Sequence, residues 1–535
     1  MSLPTPTAPS YDSTPFVRRL ATERVSSIVR DLNWTPAIWL LLITVCGALF
    51  LDGLDLSMIG VALPSIGRSL HLSAGSLQWI VSGYVLGYGS FLLLGGRTSD
   101  LISRRTVFLT AVAVFGVASV ISAGLSNELA LVALRFVKGA SAGFTVPAGL
   151  SILTTTFAEG PARNRALGIY SVCGASGFSL GLVLGGLLTE IGWRAPFLLP
   201  GPVAILLVAV GWRVIPRVGR GSVRLAHFDL FGALSATGSL LLLVYSVVEA
   251  PTGGWTSPGT LTLLAASVAL MATFVVVELR HEYPLVRLGI LRNGALVHAN
   301  LAAFAMFGSY VAFQFIVTLY VQDSLGWSPI TMALAFLPAG VIVVLGSTRI
   351  GPVLQRLGTA TTILFGMLAF AIGYALFLRA TPSMPYVESM LPTMLFLGIG
   401  FGLSFAALNG QATAGVADHE QGLASGLLNT SLQLGGAIVL AVVTAILGSH
   451  GTPVHDQLLP GMKTAIYVVV GVSVAAVILT LTFLYRARRQ GEEVFSGLVE
   501  ALATPSEANG SVTDGAPSLA LSESALQPKE CAFSR

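Results

Sequence analysis

Residues 38–55 read Ile38-Trp39-Leu40-Leu41-Leu42-Ile43-Thr44-Val45-Cys46-Gly47-Ala48-Leu49-Phe50-Leu51-Asp52-Gly53-Leu54-Asp55, an apolar run that ends on two carboxylates one helical turn apart. A second run, Leu129-Ala130-Leu131-Val132-Ala133-Leu134-Arg135-Phe136-Val137-Lys138-Gly139, carries two cations at the same spacing. Residues three apart share one face of a helix, so each pair presents its charges together. Ionisable groups inside a bilayer-spanning helix are expensive and mark transport or proton-handling sites by default. These two stretches predict a membrane transporter with its energy coupling at Asp52, Asp55, Arg135 and Lys138.

The rest of the chain follows the same rule. Of 535 residues 54% are apolar and only 10% charged, with a mean hydropathy of +0.81. A soluble domain carries about a quarter charged residues. Apolar segments recur at the length needed to cross a bilayer, about 20 residues each. Fourteen are predicted, near 37–60, 75–95, 106–125, 128–150, 165–188, 195–214, 227–249, 259–279, 295–321, 329–348, 360–378, 388–410, 422–448 and 463–485. The fold class is therefore all-α integral membrane.

The net charge of +4 invites a nucleic-acid partner, but its distribution reports topology instead. Alternate loops hold nearly every cation: Arg97, Arg104 and Arg105; Arg163 and Arg165; Arg213, Arg217, Arg220 and Arg224; Arg280, Arg287 and Arg292; Arg349 and Arg356. The N-terminal segment adds Arg18, Arg19, Arg24 and Arg30, and the C-terminal one Arg486, Arg488 and Arg489. The opposite side has only Arg68, Arg194, Arg379 and Lys463. The positive-inside rule makes the basic side cytoplasmic, both termini included. An even number of spans agrees with it. No nucleic-acid partner is expected; the bilayer is. Cys46, Cys173 and Cys531 are far apart in sequence, and the seven histidines form no close cluster, so neither a metal site nor a disulfide framework is predicted.

The longest basic stretch between spans, Trp212 to Phe228, follows six spans, and Arg280–Arg292 precedes the last six. The expected organisation is a cytoplasmic tail over 1–35, a six-helix bundle over 36–215, basic linkers with two inserted helices over 216–292, a second six-helix bundle over 293–486 and a disordered cytoplasmic tail over 487–535. Two six-span halves around a midplane site are the parallel-repeat plan of major facilitator transporters. With span one ending near residue 60, Asp52 and Asp55 would lie roughly 8–12 Å below the outer surface, and Arg135 and Lys138 roughly 10–15 Å deep. A static salt-bridge cluster gluing helices is the bland alternative, but burying four charges costs several kcal/mol per ion before pairing. A carboxylate there is predicted to trade a proton as its surroundings change, with Asp55 as the protonating group and Arg135 as its tuning partner.

Between spans two and three, Gly96, Asp100, Arg104 and Arg105 form a short loop suited to conformational gating: an acid there can cap a nearby helix N-terminus or pair across the halves. Span five carries Gly168, Gly177, Gly181, Gly185 and Gly186, whose density permits close backbone contact. In the second half Tyr310, Phe313, Gln314, Asn429 and Gln433 are candidates for a substrate cavity, interhelical hydrogen bonding being the alternative for Asn429 and Gln433.

These stretches resemble the fourteen-span multidrug:proton antiporters of the major facilitator superfamily. Leu54-Asp55-Leu56-Ser57-Met58-Ile59-Gly60-Val61-Ala62-Leu63-Pro64 is similar to that family's first-span signature, and Gly96 to Arg105 to its loop-two motif. Leu131, Arg135 and Gly139 match the fourth-span motif, and the span-five glycines the antiporter motif. The resemblance implies two six-helix bundles plus two inserted helices, and proton-driven export of bulky lipophilic drugs or secondary metabolites by alternating access. It also implies no cofactor beyond the proton gradient, a monomer in a bacterial cytoplasmic membrane, and an approach of Asp100 to the helix start near Glu420–Leu423. Several positions depart from it: Ser103 and Thr98 in the loop, Leu182 where the antiporter motif has proline, Lys138 where glutamine is usual, and Asp52 beyond the signature. Mutual compensation of Lys138 and Asp52 is the expectation. The alternatives are a same-fold transporter of a lipid, siderophore or peptide, or a membrane enzyme or receptor, for which no nucleophile–base pair and no folded soluble domain is evident.

Overall fold

The computed structural model describes residues 34–157, 161–217, 229–281, 288–347, 349–416, 420–448 and 457–503. The architecture is all-helical. Helix α1 (Pro36–Leu70) begins where Thr35 caps the free amide of Ile38 and Pro36 occupies the first turn, and ends where His71 turns left-handed at φ 55°. It is followed by α2 (Ala74–Leu101), α3 (Arg104–Gly124), α4 (Glu128–Thr156), α5 (Pro161–Ile191) and, after the turn Ala195–Leu198, α6 (Pro200–Val214). Helices α7 (Leu230–Gly253) and α8 (Pro258–Arg280) form a hairpin. The second half comprises α9 (Gly294–Leu319), α10 (Pro329–Ser347), α11 (Thr359–Phe377), α12 (Leu391–Thr413), α13 (Gln421–Gly448) and α14 (Met462–Ala503). Asn127 caps α4 and Asn293 caps α9, each by accepting a backbone N–H, so the expected boundaries have local chemical causes.

Among the described residues twelve helices are long and apolar enough to cross a bilayer. The other two expected spans are α2, of 28 residues, and α7, of 24.

Three expectations about extent need correction. Helix α1 runs to Leu70 rather than ending near 60, because Pro64 is tolerated inside it and the polar turn comes only at His71. Asp55 lies fifteen residues before that end, about 22 Å along the axis, and so near the middle of the helix rather than close to one surface. The chain also stays helical past residue 487, where a disordered tail was expected, as far as Ala503; the remainder of that expected tail, and residues 1–33, lie outside the described residues.

Glycine lets the helices cross closely. A Cβ at Gly87 would strike the Phe136 carbonyl, and one at Gly139 the Tyr84 carbonyl, so α2 and α4 meet backbone to backbone. Gly308 and Gly435 do the same for α9 and α13. The two halves touch along α2–α13 and along α5–α10, and α7 packs on both α2 and α13, where Thr237 donates to the Ser90 carbonyl.

Candidate functional site

The structure gathers residues from α1, α2, α3 and α4 around one carboxylate. Asp55 is fully buried, as are Arg135 and Lys138. Arg135 Nη1 donates to Asp55 Oδ2 at 2.5 Å, and the Lys138 ammonium donates to Asp55 Oδ1. Each cation is further held. Arg135 Nε donates to the Ile80 carbonyl at 2.9 Å, and the guanidinium lies over the Tyr84 ring at 4.5 Å. Lys138 Nζ donates to Ser119 Oγ at 3.0 Å and sits 4.7 Å from the centre of the Phe115 ring. Ser119 in turn donates to the Phe197 carbonyl at 2.7 Å. Such packing satisfies the demand that buried ions be paired and hydrogen-bonded, and the aromatic faces add cation–π attraction. One donor, Arg135 Nη2, is buried without a partner.

Asp52 is placed differently. Its Oδ1 is buried with no hydrogen-bond partner, although Asp55, Arg135 and Lys138 are all within electrostatic reach. Asp52 and Lys138, expected to compensate each other's charge, share no hydrogen bond: Lys138 donates to Asp55 and Ser119 instead. Residue spacing could align all four charges on facing helices but could not choose among the pairs. Tyr84, Phe115 and Ser119 carried no sequence signal, because aromatics and serine are common in packed spans.

The span-five glycines divide. A side chain at Gly177 would collide with Phe50 backbone, at Gly181 with Leu54 and Ser57, and at Gly185 with Met58, so three of them seat α5 on α1. Gly186 instead meets Pro329, Ile330 and Ala333 of α10, in the other half. Gly168 has open space around its Cα and takes no part in the close contact. The expected loop over Gly96–Arg105 shrinks to Ile102 and Ser103, because α2 runs on to Leu101 and α3 starts at Arg104; Gly96 is half-buried within α2, and its carbonyl accepts from Ser99 Oγ at 2.8 Å. Arg105 donates to the carbonyls of Ile215 and Trp212 at 2.8 and 2.5 Å, binding the C-terminus of α6 within the same half rather than bridging the halves. Arg104 opens α3. The Asp100 side chain and residues 417–419 lie outside the described residues, and with them the expected approach of Asp100 to α13.

Of the cavity candidates, Gln314 lines a narrow cleft between the halves with Leu56, Gly60, Val81 and Phe178. Tyr310 lines a neighbouring one and stacks edge-on against Phe178 of α5, ring centres 5.5 Å apart. Phe313 is instead enclosed by Tyr374 and Phe377 inside the second half. Gln433 is buried opposite Gly89 in the α2–α13 seam, and Asn429 donates to the Ser425 carbonyl of its own helix.

The halves are also tied at the end of α1 remote from Pro36. Arg68 Nη1 donates to Asp323 Oδ1 at 2.9 Å, and Gln322 Nε2 to the Val61 carbonyl at 2.9 Å. Gln322 and Asp323 belong to the π-helical turn Tyr320–Ser324 that continues α9. Arg68 stood out in the sequence as one of few cations on the sparsely basic side, whereas its partner 255 positions away carried no signal. Cys46 and Cys173 are free thiols, the first buried in α1 and the second half-buried in α5.

The family model for the Major Facilitator Superfamily matches residues 45–440. The puromycin resistance protein pur8 of Streptomyces alboniger is 33% identical over 483 residues, covering 87% of this chain and 95% of that protein. The cephamycin export protein CmcT of Amycolatopsis lactamdurans is 35% identical, covering 77% and 86%. The solved POT family transporter PepTSo superimposes with a TM-score of 0.64 at 15% identity, over 86% of this chain and 99% of that one, a likeness of fold. The chain is a transporter, not an enzyme, and it belongs to the major facilitator superfamily.

Proposed function

We propose that this protein is a proton-coupled antiporter that exports bulky lipophilic compounds, drugs or secondary metabolites, across a bacterial cytoplasmic membrane. The carrying observation is a carboxylate held between two cations midway along a bilayer-spanning helix, whose next residue, Leu56, lines a cleft between the halves. A charge cluster at that depth is costly to build, and its balance is altered by one proton. Relatives named for resistance to puromycin, lincomycin and tetracenomycin C support the efflux reading.

In this reading the protein is a monomer with fourteen spans, the basic loops and both termini face the cytoplasm, and the Arg68–Asp323 contact closes the outer end. Alternating access rocks the halves along the α2–α13 and α5–α10 seams, Gly186 allowing the second to close tightly. The aromatic pair Phe178–Tyr310 and the amide of Gln314 contact substrate in the cleft. The test uses everted membrane vesicles loaded by an imposed pH gradient, acidic inside, with puromycin and ethidium as probes. Gradient-dependent accumulation of either, abolished by a protonophore, is expected; accumulation of neither, in vesicles that contain the folded protein, overturns the reading.

A further inference from the structure

Asp52 and Asp55 share a helix face but not an environment. Both oxygens of Asp55 receive hydrogen bonds from buried cations, and the residue is 0% exposed. Among the described residues Asp55 is thus the one acid bonded to either cation, and both depend on its charge for their pairing. Asp52 has no ion pair among the described residues; its Oδ1 is an orphaned buried acceptor, yet the residue retains 8% exposure. Leu56, one turn further along the same face, lines the cleft between the halves. The titratable and charged groups around Asp52 are Asp55 on its own helix, Tyr88 from α2, Arg135 and Lys138 from α4, and Tyr170 from α5. An unpartnered carboxylate anion buried there, with a second anion one turn away, is relieved by taking a proton.

The charge sum fits this division. With all four groups ionised the cluster is neutral, and with a proton on Asp52 it carries +1, leaving the Asp55 salt bridges intact. We propose that Asp52 is the carboxyl that takes up and releases the transported proton, while Asp55 stays ionised as the fixed counter-ion of Arg135 and Lys138. In release, the Asp52 O–H bond breaks, the proton passes to water in the opened cleft, and the resulting carboxylate is balanced by the cation excess of the Asp55–Arg135–Lys138 group. In uptake, water on the other side returns a proton to the same oxygen. This inference rests on the proton-coupled reading above and refines which atom does the coupling.

Infrared difference spectroscopy on the purified full-length protein decides it without a substrate. Raising the pH removes the carbonyl stretch of a neutral, buried carboxylic acid from the wild-type spectrum. That band is expected to be lost in Asp52→Asn and to return, displaced, in Asp52→Glu; in Asp55→Asn, where Asp52 becomes the nearest acid to both cations, it is expected to vanish at a lower pH than in the wild type. A band that disappears in Asp55→Asn but persists in Asp52→Asn overturns the proposal, as does a wild-type spectrum without the band. In the everted vesicles, Asp52→Asn should lower gradient-driven ethidium accumulation to its no-gradient level. A wild type that ignores the gradient sinks the antiport reading, whereas a responsive wild type matched by an equally responsive Asp52→Asn sinks this inference alone.

Discussion

Replacing Asp55 by asparagine is the sharpest perturbation of this molecule. The substitution preserves shape, but it removes the counter-charge from two cations that are each 0% exposed. Removing one partner of a buried ion pair costs about 3–5 kcal/mol, because the remaining charge stays desolvated. Here two remain, offset partly by Tyr84, Phe115 and Ser119 and by Asp52 within electrostatic reach, so the upper half of that range is expected. If the first six helices melt as a unit, each kcal/mol lowers the midpoint by about 2–4 °C, which places the shift at roughly 8–20 °C. The assay is thermal unfolding of detergent-purified protein, followed by reactivity of the buried thiol Cys46. Lys138→Met should cost much less, since it leaves one acid facing one guanidinium. The double variant Asp55→Asn/Lys138→Met should then be more stable than Asp55→Asn alone. Should Asp55→Asn melt within a degree or two of wild type, or Lys138→Met be the more damaging of the two, the described charge balance is wrong.

Other expectations follow from the same geometry. The Arg68–Asp323 bond is exposed at 57% on its arginine side, so breaking it by Asp323→Asn is worth about 0.2–1 kcal/mol and should raise the open population of that end up to roughly fivefold. Spin-label distances across α1 and α9 would show this, and an Arg68→Asp/Asp323→Arg swap should restore the wild-type distribution. Gly181→Val should abolish folded protein or export, because the side chain meets Leu54 and Ser57, whereas Gly168→Ala should leave both unchanged; membrane yield and vesicle accumulation report each. An alkaline phosphatase fused at Gly254, in the turn between α7 and α8, should be active, and one fused at Arg217 inactive; activity at both would remove the inserted pair from the bilayer.

Hydropathy and charge placement determine helices directly, because a spanning segment must satisfy its own backbone and must be apolar over about 20 residues. All fourteen expected segments coincide with helices, among them 128–150 with Glu128–Thr156 and 422–448 with Gln421–Gly448. The rarity of ionisable groups within those segments likewise singled out Asp52, Asp55, Arg135 and Lys138 before any coordinate was known. Pairing was beyond the sequence. Helical periodicity places residues on a face, but which face meets which depends on crossings set by Gly87, Gly139, Gly177 and Gly181. Only the packing of helices in space decides that Lys138 reaches Asp55 across 83 positions and bypasses Asp52, or that Phe313 turns into its own half while Tyr310 meets Phe178. A bilayer enforces a one-dimensional code along the chain, whereas the contact energies that divide two adjacent carboxylates into one paired and one orphaned arise in three dimensions.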